Sequence, residues 1–214
     1  MSRLRITEIF HSLQGETKTV GLPTVFVRLT GCPLRCTYCD SSYAFQGGNW
    51  LKMEDIIQQV DSYSAKYVTV TGGEPLAQKP CLELLKNLCD KNNYEVSLET
   101  SGALDISSVD PRVIKVVDFK TPGSGEVERN RYENINYLLP QDQVKIVICN
   151  REDYDWAKAL LKQYNLVERC QVLFSPSYQQ LPANKLADWI LQDKLPVRFQ
   201  LQLHKILWGD VPGH

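Results

Sequence analysis

The chain lacks the features that would tie it to a membrane or a polyanion. No stretch approaches the roughly 18 consecutive apolar residues of a membrane span. The first residues, Met1-Ser2-Arg3-Leu4-Arg5, hold no apolar core of the kind an export signal carries. Neither sign of charge is in excess: 24 Lys and Arg stand against 25 Asp and Glu, a net charge of −1. That balance gives no electrostatic footing for nucleic acid or an anionic lipid surface. A cytoplasmic protein with no nucleic-acid or membrane partner is expected. In that reducing compartment the seven cysteines should remain thiols, which excludes a disulfide framework. Four of them read as ordinary: Cys81 shares a helical face with Leu84, Leu85 and Leu88, Cys149 closes the apolar run Val144 to Ile148, and Cys89 and Cys170 sit near element ends.

What is present is a strand–helix alternation. At 214 residues, 43% of them hydrophobic, the chain can build one substantial core and is short for two. Strands are expected at Arg3 to Phe10, Thr24 to Leu29, Tyr67 to Thr71, Tyr94 to Glu99, Ile114 to Phe119, Val144 to Cys149, Val172 to Phe174 and Val197 to Leu203. Helices are expected at Met53 to Val60, from Pro80, at Asp153 to Tyr164 and at Asn184 to Gln192, with a short one before Leu139. His11 to Pro23, polar and carrying two glycines, reads as a loop. Such alternation predicts an α/β fold with a parallel sheet wrapped by helices, in six or seven units, fewer than the eight of a closed barrel.

The chemistry centres on Gly31-Cys32-Pro33-Leu34-Arg35-Cys36-Thr37-Tyr38-Cys39-Asp40-Ser41, which follows the second strand. A C-x3-C-x2-C spacing lets one tight loop aim three thiolates at one centre. Zinc and iron–sulfur clusters both take thiolates, but structural zinc normally has a fourth Cys or His at a recognisable second spacing, and none is evident. Three cysteines on a 4Fe–4S cluster leave one iron open to a small molecule, and the spacing favours that reading. One helix later, Thr71-Gly72-Gly73-Glu74-Pro75 ends a β-branched strand. Paired glycines there let backbone approach a ligand and expose its polar groups.

Taken together, the three cysteines and the T-G-G-E-P loop resemble the radical S-adenosylmethionine (SAM) superfamily. Glu8-Ile9-Phe10-His11-Ser12-Leu13-Gln14-Gly15-Glu16, Phe26-Val27-Arg28-Leu29 and Gln202-Leu203-His204-Lys205 resemble, within it, the 7-carboxy-7-deazaguanine synthases, from about residue 6 to about residue 207. The resemblance implies one radical SAM domain over residues 1–214, an open partial TIM-like barrel of about six parallel strands. It implies a lyase converting 6-carboxy-5,6,7,8-tetrahydropterin to 7-carboxy-7-deazaguanine with loss of ammonia, in queuosine and 7-deazapurine biosynthesis. A 4Fe–4S cluster, SAM and Mg2+ would be its cofactors, flavodoxin or ferredoxin its electron donor, and a homodimer its assembly. Other readings are a radical SAM activase that installs a glycyl radical in a partner protein, and a metal-stabilised binding module without enzymatic activity.

Residue by residue, the resemblance puts Cys32, Cys36 and Cys39 on the cluster and Ser41, where relatives commonly carry Thr, on Mg2+. It puts Tyr38, Cys39, Asp40, Gly73, Glu74, Lys120, Thr121 and Ser175 around SAM, and Leu13, Gln14, Gly15, Glu16, Arg28, Thr71, Glu99 and His204 around the substrate. No catalytic side chain beyond cluster and SAM is assigned. From the residues alone several have plainer roles: Gln14 and Glu16 in a solvated loop, Arg28 in a buried ion pair, Glu99 as a cap, His204 as a structural residue continuing the last strand. Two departures stand out. Relatives commonly carry glycine where this chain has Thr17, and some end near Lys205 and use their terminal carboxylate at the substrate, where this chain runs on from Trp208 to His214.

Overall fold

The structure, a computed structural model, describes residues 2–209 and 211–213. Its elements in chain order are β1 (Arg3–Leu13), β2 (Pro23–Leu29), β3 (Asn49–Lys52), α1 (Met53–Ser62), β4 (Tyr67–Gly72), α2 (Cys81–Asp90), β5 (Glu95–Thr100), β6 (Ile114–Asp118), β7 (Gln143–Ile148), α3 (Arg151–Tyr164), α4 (Leu166–Arg169), β8 (Gln171–Pro176), α5 (Ala183–Gln192), β9 (Arg198–Phe199) and α6 (Leu203–Trp208). Among the described residues the strands form one sheet in the order β3-β1-β2-β4-β5-β6-β7-β8-β9. From β2 to β9 every pairing is parallel, which makes seven parallel strands where about six were expected; the last is only two residues long. β1 and β3 close one side antiparallel.

Parallel strands covered on both faces read as continuous apolar runs, and β2 and β4 do so: Val25, Val27, Val68 and Val70 are wholly buried. The helices meet them with one apolar stripe each. α2 turns Cys81, Leu84, Leu85 and Leu88 inward, all at 0% exposure, as their i, i+3, i+4, i+7 spacing predicts. Burying one such leucine contributes about 1.5–3 kcal/mol, so this stripe fixes α2 against the sheet.

The structure corrects the sequence-based expectations in several places. β1 runs on through His11, Ser12 and Leu13, which pair with Val25, Thr24 and Pro23. Polar residues do not end an antiparallel strand that has an accessible face. β3 was not expected; its four residues carry too little pattern to read, and they pair with Arg3 to Ile6. The short helix before Leu139 is instead a series of 3-10 turns, at Pro122–Ser124, Val127–Arg129 and Tyr132–Tyr137. The last strand stops at Phe199. Leu203 N is drawn to Gly15 O (2.9 Å), so the alternating Val197 to Leu203 segment leaves the sheet and His204 falls on a helix. Cys149 is half-buried rather than a core thiol, while Cys81, Cys89 and Cys170 are buried.

Candidate active site

The carboxyl ends of the parallel strands open on a cavity of about 510 Å³, inside the range of about 300–1,000 Å³ that ligand pockets occupy. The cysteine loop forms one wall. It is held from two sides. Thr37 donates from N to Ser124 O (3.0 Å) and from Oγ1 to Gly123 O (2.9 Å). The Thr121–Ser124 segment is pinned in turn by the fully buried Asp153, which accepts from Thr121 Oγ1 (3.0 Å), Gly123 N (2.7 Å) and Cys149 N (2.9 Å). On the other side Gly73 N reaches Leu29 O (3.1 Å) and Glu74 N reaches Gly31 O (2.8 Å). A Cβ on Gly73 would collide with Gly31 O and lie 2.8 Å from Cys32 Cβ, so only glycine lets the two loops meet.

The donor set fits an iron–sulfur cluster. Cys32, Cys36 and Cys39 are all free, partly buried and on the cavity wall, and Leu34 N donates to Cys32 Sγ at 3.5 Å. Burial pushes the Cys36 thiol up to about 11, with Lys120 pulling the other way; becoming thiolate there requires a cationic centre to compensate. Among the described residues no three His, Cys, Asp or Glu side chains converge closely enough for a single ion. For Mg2+ the wall offers Ser41, whose hydroxyl donates to Asp40 Oδ1 (3.0 Å). A hard-oxygen pair suits an ion that keeps several waters and binds through one or two protein groups.

The opposite wall is charged. Arg28 has the ion-pair partner that its buried strand demanded: Nε donates to Glu8 Oε1 (2.7 Å), directly across the β1–β2 ladder, and the same oxygen accepts from Tyr43 OH (2.7 Å). Arg28 still lines the cavity. Gln14 Nε2 donates to Thr69 Oγ1 and Glu99 Oε1 (3.2 Å each), Gln14 Oε1 accepts from Glu16 N (3.2 Å), and Thr71 Oγ1 donates to Glu99 Oε2 (3.2 Å). Burial, then the nearby Glu16, push the Glu99 carboxyl up from its ordinary value. His204 packs on Gly15, where a Cβ would collide with its Nδ1, and its Nε2 lies 3.7 Å from Asp40 Oδ2.

Sixteen of the nineteen residues singled out from the sequence line this cavity. Leu13, Gln14, Gly15, Glu16, Arg28, Thr71, Glu99 and His204 share it with Cys32, Cys36, Tyr38, Cys39, Asp40, Ser41, Gly73 and Lys120. Glu74, Thr121 and Ser175 are buried behind the wall. The Glu74 carboxylate accepts from Leu76 N, Thr100 Oγ1, Ser101 N and Ser101 Oγ. Thr121 is spent on Asp153 and Val147 O. Ser175 Oγ is buried without a partner.

Sequence reasoning missed Asp118 and Lys145. Lys145 Nζ binds Glu16 Oε2 and lies 3.5 Å from Asp118 Oδ2, which also takes Lys120 Nζ at 3.1 Å. Burial pulls both ammonium groups down, but Asp118 with Cys36 and Cys39 for Lys120, and Glu16, Asp118 and Glu99 for Lys145, push them up and leave both cationic. The signal that marked Arg28, a charge inside an apolar strand, was equally present in Val144-Lys145-Ile146. Gly209, Val211 and Pro212 of the tail also line the cavity; Asp210 and His214 of the same tail lie outside the described residues.

Comparison with known proteins was made by sequence and by fold. Residues 26–117 match the Radical SAM superfamily. The chain is 43% identical over 209 residues to the 7-carboxy-7-deazaguanine synthase of Chlorobaculum tepidum, covering 96% of this chain and 94% of that one. It is 39% identical over 219 residues to the enzyme of the same name from Koribacter versatilis, covering 96% and 97%. Among solved structures it resembles QueE from Escherichia coli with a TM-score of 0.77 at 22% identity, over 94% of this chain and 95% of that one, a likeness of fold.

Proposed function

The chain belongs to the 7-carboxy-7-deazaguanine synthase family of radical SAM enzymes, and from that premise we infer that it converts 6-carboxy-5,6,7,8-tetrahydropterin to 7-carboxy-7-deazaguanine with loss of ammonia, on the route to queuosine and other 7-deazapurines. One observation carries this inference: a single cavity has the three-cysteine loop on one wall and Gln14, Arg28, Glu99 and His204 on the other. A cavity of about 510 Å³ suits a small molecule, whereas an activase of a partner protein works on a docked chain. With relatives named as synthases, neither the activase nor the non-enzymatic binding module is favoured.

Cys32, Cys36 and Cys39 would hold the 4Fe–4S cluster, and Gly73, Asp40, Tyr38 and Lys120 would surround SAM beside it. When bound, cluster and SAM supply one-electron chemistry that removes a hydrogen atom from a carbon of the substrate. What the chain must add is selection, because a reactive radical takes hydrogen from any carbon within reach. Arg28 is held in place by Glu8 and would pair with the C6 carboxylate in a guanidinium–carboxylate contact. Ser41 would share a Mg2+ with the same carboxylate. Gln14, Glu16, Glu99 and His204 would hold the ring, leaving the C6 hydrogen turned toward the cysteine wall. Glu74 and Thr121 fit a different task, fixing the loops that touch SAM. The whole chain would act as one domain in the cytoplasm, as a homodimer reduced by a flavodoxin- or ferredoxin-like donor; no helix among the described residues is long and apolar enough to cross a membrane.

The test is an anaerobic assay with substrate deuterated at C6. Deuterium is expected in 5′-deoxyadenosine or in recovered SAM, together with the deazaguanine product. Efficient product formation with no label on the 5′ carbon would place hydrogen abstraction at another carbon and overturn the assignment of Arg28 and Ser41.

A further inference from the structure

Lys145 is used by none of the roles above, yet it stands on the cavity wall with its side chain only 13% exposed. It sits in the middle of β7, beside Asp118 in the β6–β7 register. An ammonium has three N–H donors. Two are engaged, by Glu16 Oε2 and by Asp118 Oδ2 at 3.5 Å, and no described protein acceptor takes the third. Lys120 shares Asp118 with it at 3.1 Å, and around these two cations stand acceptors in excess. Glu16 Oε1 and Asp118 Oδ1 are buried with no hydrogen-bond partner, and Glu99 on β5 receives only two long bonds, from Gln14 and Thr71. Buried polar atoms left unpaired are costly and rare in a finished fold, so this part of the wall is complementary to something that brings both an acceptor and donors.

We propose that Lys145 is a substrate-positioning residue whose spare N–H donates to the ring carbonyl of the substrate, while Glu16 and Glu99 accept from the ring N–H groups next to that carbonyl. A ring edge that runs carbonyl, N–H, amino presents one acceptor followed by two donors. Lys145 followed by carboxylates presents the inverse. Arg28 spends its Nε on Glu8, which leaves its terminal N–H groups to read the carboxylate end of the molecule, and Lys145 fixes the other end. Two anchors at opposite ends set which carbon faces the cysteines. A further consequence follows from charge: Glu16, Asp118 and Glu99 outnumber the two cations among them, Lys145 and Lys120, which disfavours a ring that lacks donors.

This inference rests on the pterin assignment, and the experiment separates the two. Dissociation constants are measured anaerobically on the cluster-loaded protein with SAM, for 6-carboxytetrahydropterin and for its 4-thioxo analogue, which keeps the ring N3–H and amino donors but puts a weak sulfur acceptor in place of the C4 oxygen. Hydrogen bonds to a charged group contribute about 1.5–3 kcal/mol, so the wild-type protein should prefer the carbonyl form by about 10- to 100-fold. Lys145→Met should erase that preference with SAM affinity unchanged, and Lys145→Arg should restore part of it. Should Lys145→Met fail to fold, the double variant Lys145→Met/Glu16→Gln removes cation and carboxylate together and avoids a stranded charge; it too should show no preference. A folded Lys145 variant lacking the ammonium that still prefers the carbonyl form, or a wild-type protein that binds both rings equally, overturns the inference alone. A wild-type protein that binds neither ring overturns the functional assignment and this inference with it.

Discussion

Glu74 and Glu99 stand at the ends of adjacent parallel strands, and the chain treats them in opposite ways. Glu74, 0% exposed, collects hydrogen bonds from two backbone amides and two hydroxyls, at 2.5 to 3.0 Å. Glu99 collects two, both at 3.2 Å and both from side chains that are themselves on the cavity wall. The first carboxylate is fully served and holds the end of β5 against the G-G-E-P loop. The second is poorly served and is driven toward its neutral form by burial and by Glu16. Asp153 belongs with Glu74, and Glu16 and Asp118 with Glu99. Saturation marks scaffold, and unspent capacity marks the site.

The largest expected effect breaks or keeps that contrast directly. Glu74→Ala strands four buried donors, each a penalty of about 1–3 kcal/mol when left unpaired, so with partial relaxation the variant should lose at least about 3 kcal/mol in a urea titration. Because the same carboxylate shapes the loop against Gly31 and Cys32, it should also load less iron and sulfide. Glu99→Ala, at a site with little to lose, should change stability by less than about 1 kcal/mol while abolishing substrate binding. Equal destabilisation by the two variants would mean that Glu99 is scaffold as well.

A middle-sized effect tests the electrostatics of the same pair through pH. The Glu99 carboxyl has a folded-state value raised above its unfolded one, so below the ordinary glutamate value of about 4.3 it is neutral in both states and contributes nothing. As pH rises from there through the raised folded value, the folded state resists ionisation and stability is lost. Glu99→Gln cannot ionise and should lack that decline, so the variant should gain on the wild-type protein as pH rises, in urea midpoints taken from pH 4 upward. Curves that stay parallel would mean that Glu99 ionises as freely in the fold as outside it.

This contrast also explains how much could be read in the sequence. The strand–helix order and the apolar faces follow from residue periodicity, and the loop of Cys32, Cys36 and Cys39 from spacing. Motif alone could not separate the Glu74 side chain from those on the wall, since a glutamate's direction depends on which donors Thr100 and Ser101 bring to it. Nor could periodicity see that Leu203 N would be captured by Gly15 O, a contact between residues far apart in the chain; the alternation through Leu203 was real but Leu201 ends up exposed. Lys145 was legible by the rule that found Arg28, but its two partners, Glu16 in the loop after β1 and Asp118 on β6, are far from it in the chain.

The smallest expected effect concerns the loop that carries Glu16. Thr17, where the family resemblance leads one to expect glycine, has a left-handed backbone with φ of 69° although it is β-branched and 2% exposed. A side chain there is strained by about 1–2 kcal/mol. The hydroxyl recovers part of this by accepting from Thr19 N (3.3 Å) and meeting Thr19 Oγ1 (3.0 Å). So the loop holds a left-handed turn at a β-branched residue, under strain. Thr17→Gly should relieve the strain, lose those hydrogen bonds and give back about 0.5–1 kcal/mol in chain entropy, for a net change within about 1 kcal/mol of zero in a urea titration. Because Gln14 and Lys145 hold Glu16 from both sides, substrate affinity should stay within about twofold. A Thr17→Gly protein that folds normally but binds substrate tenfold more weakly would mean that the strained backbone, and not the two side chains, is what positions Glu16.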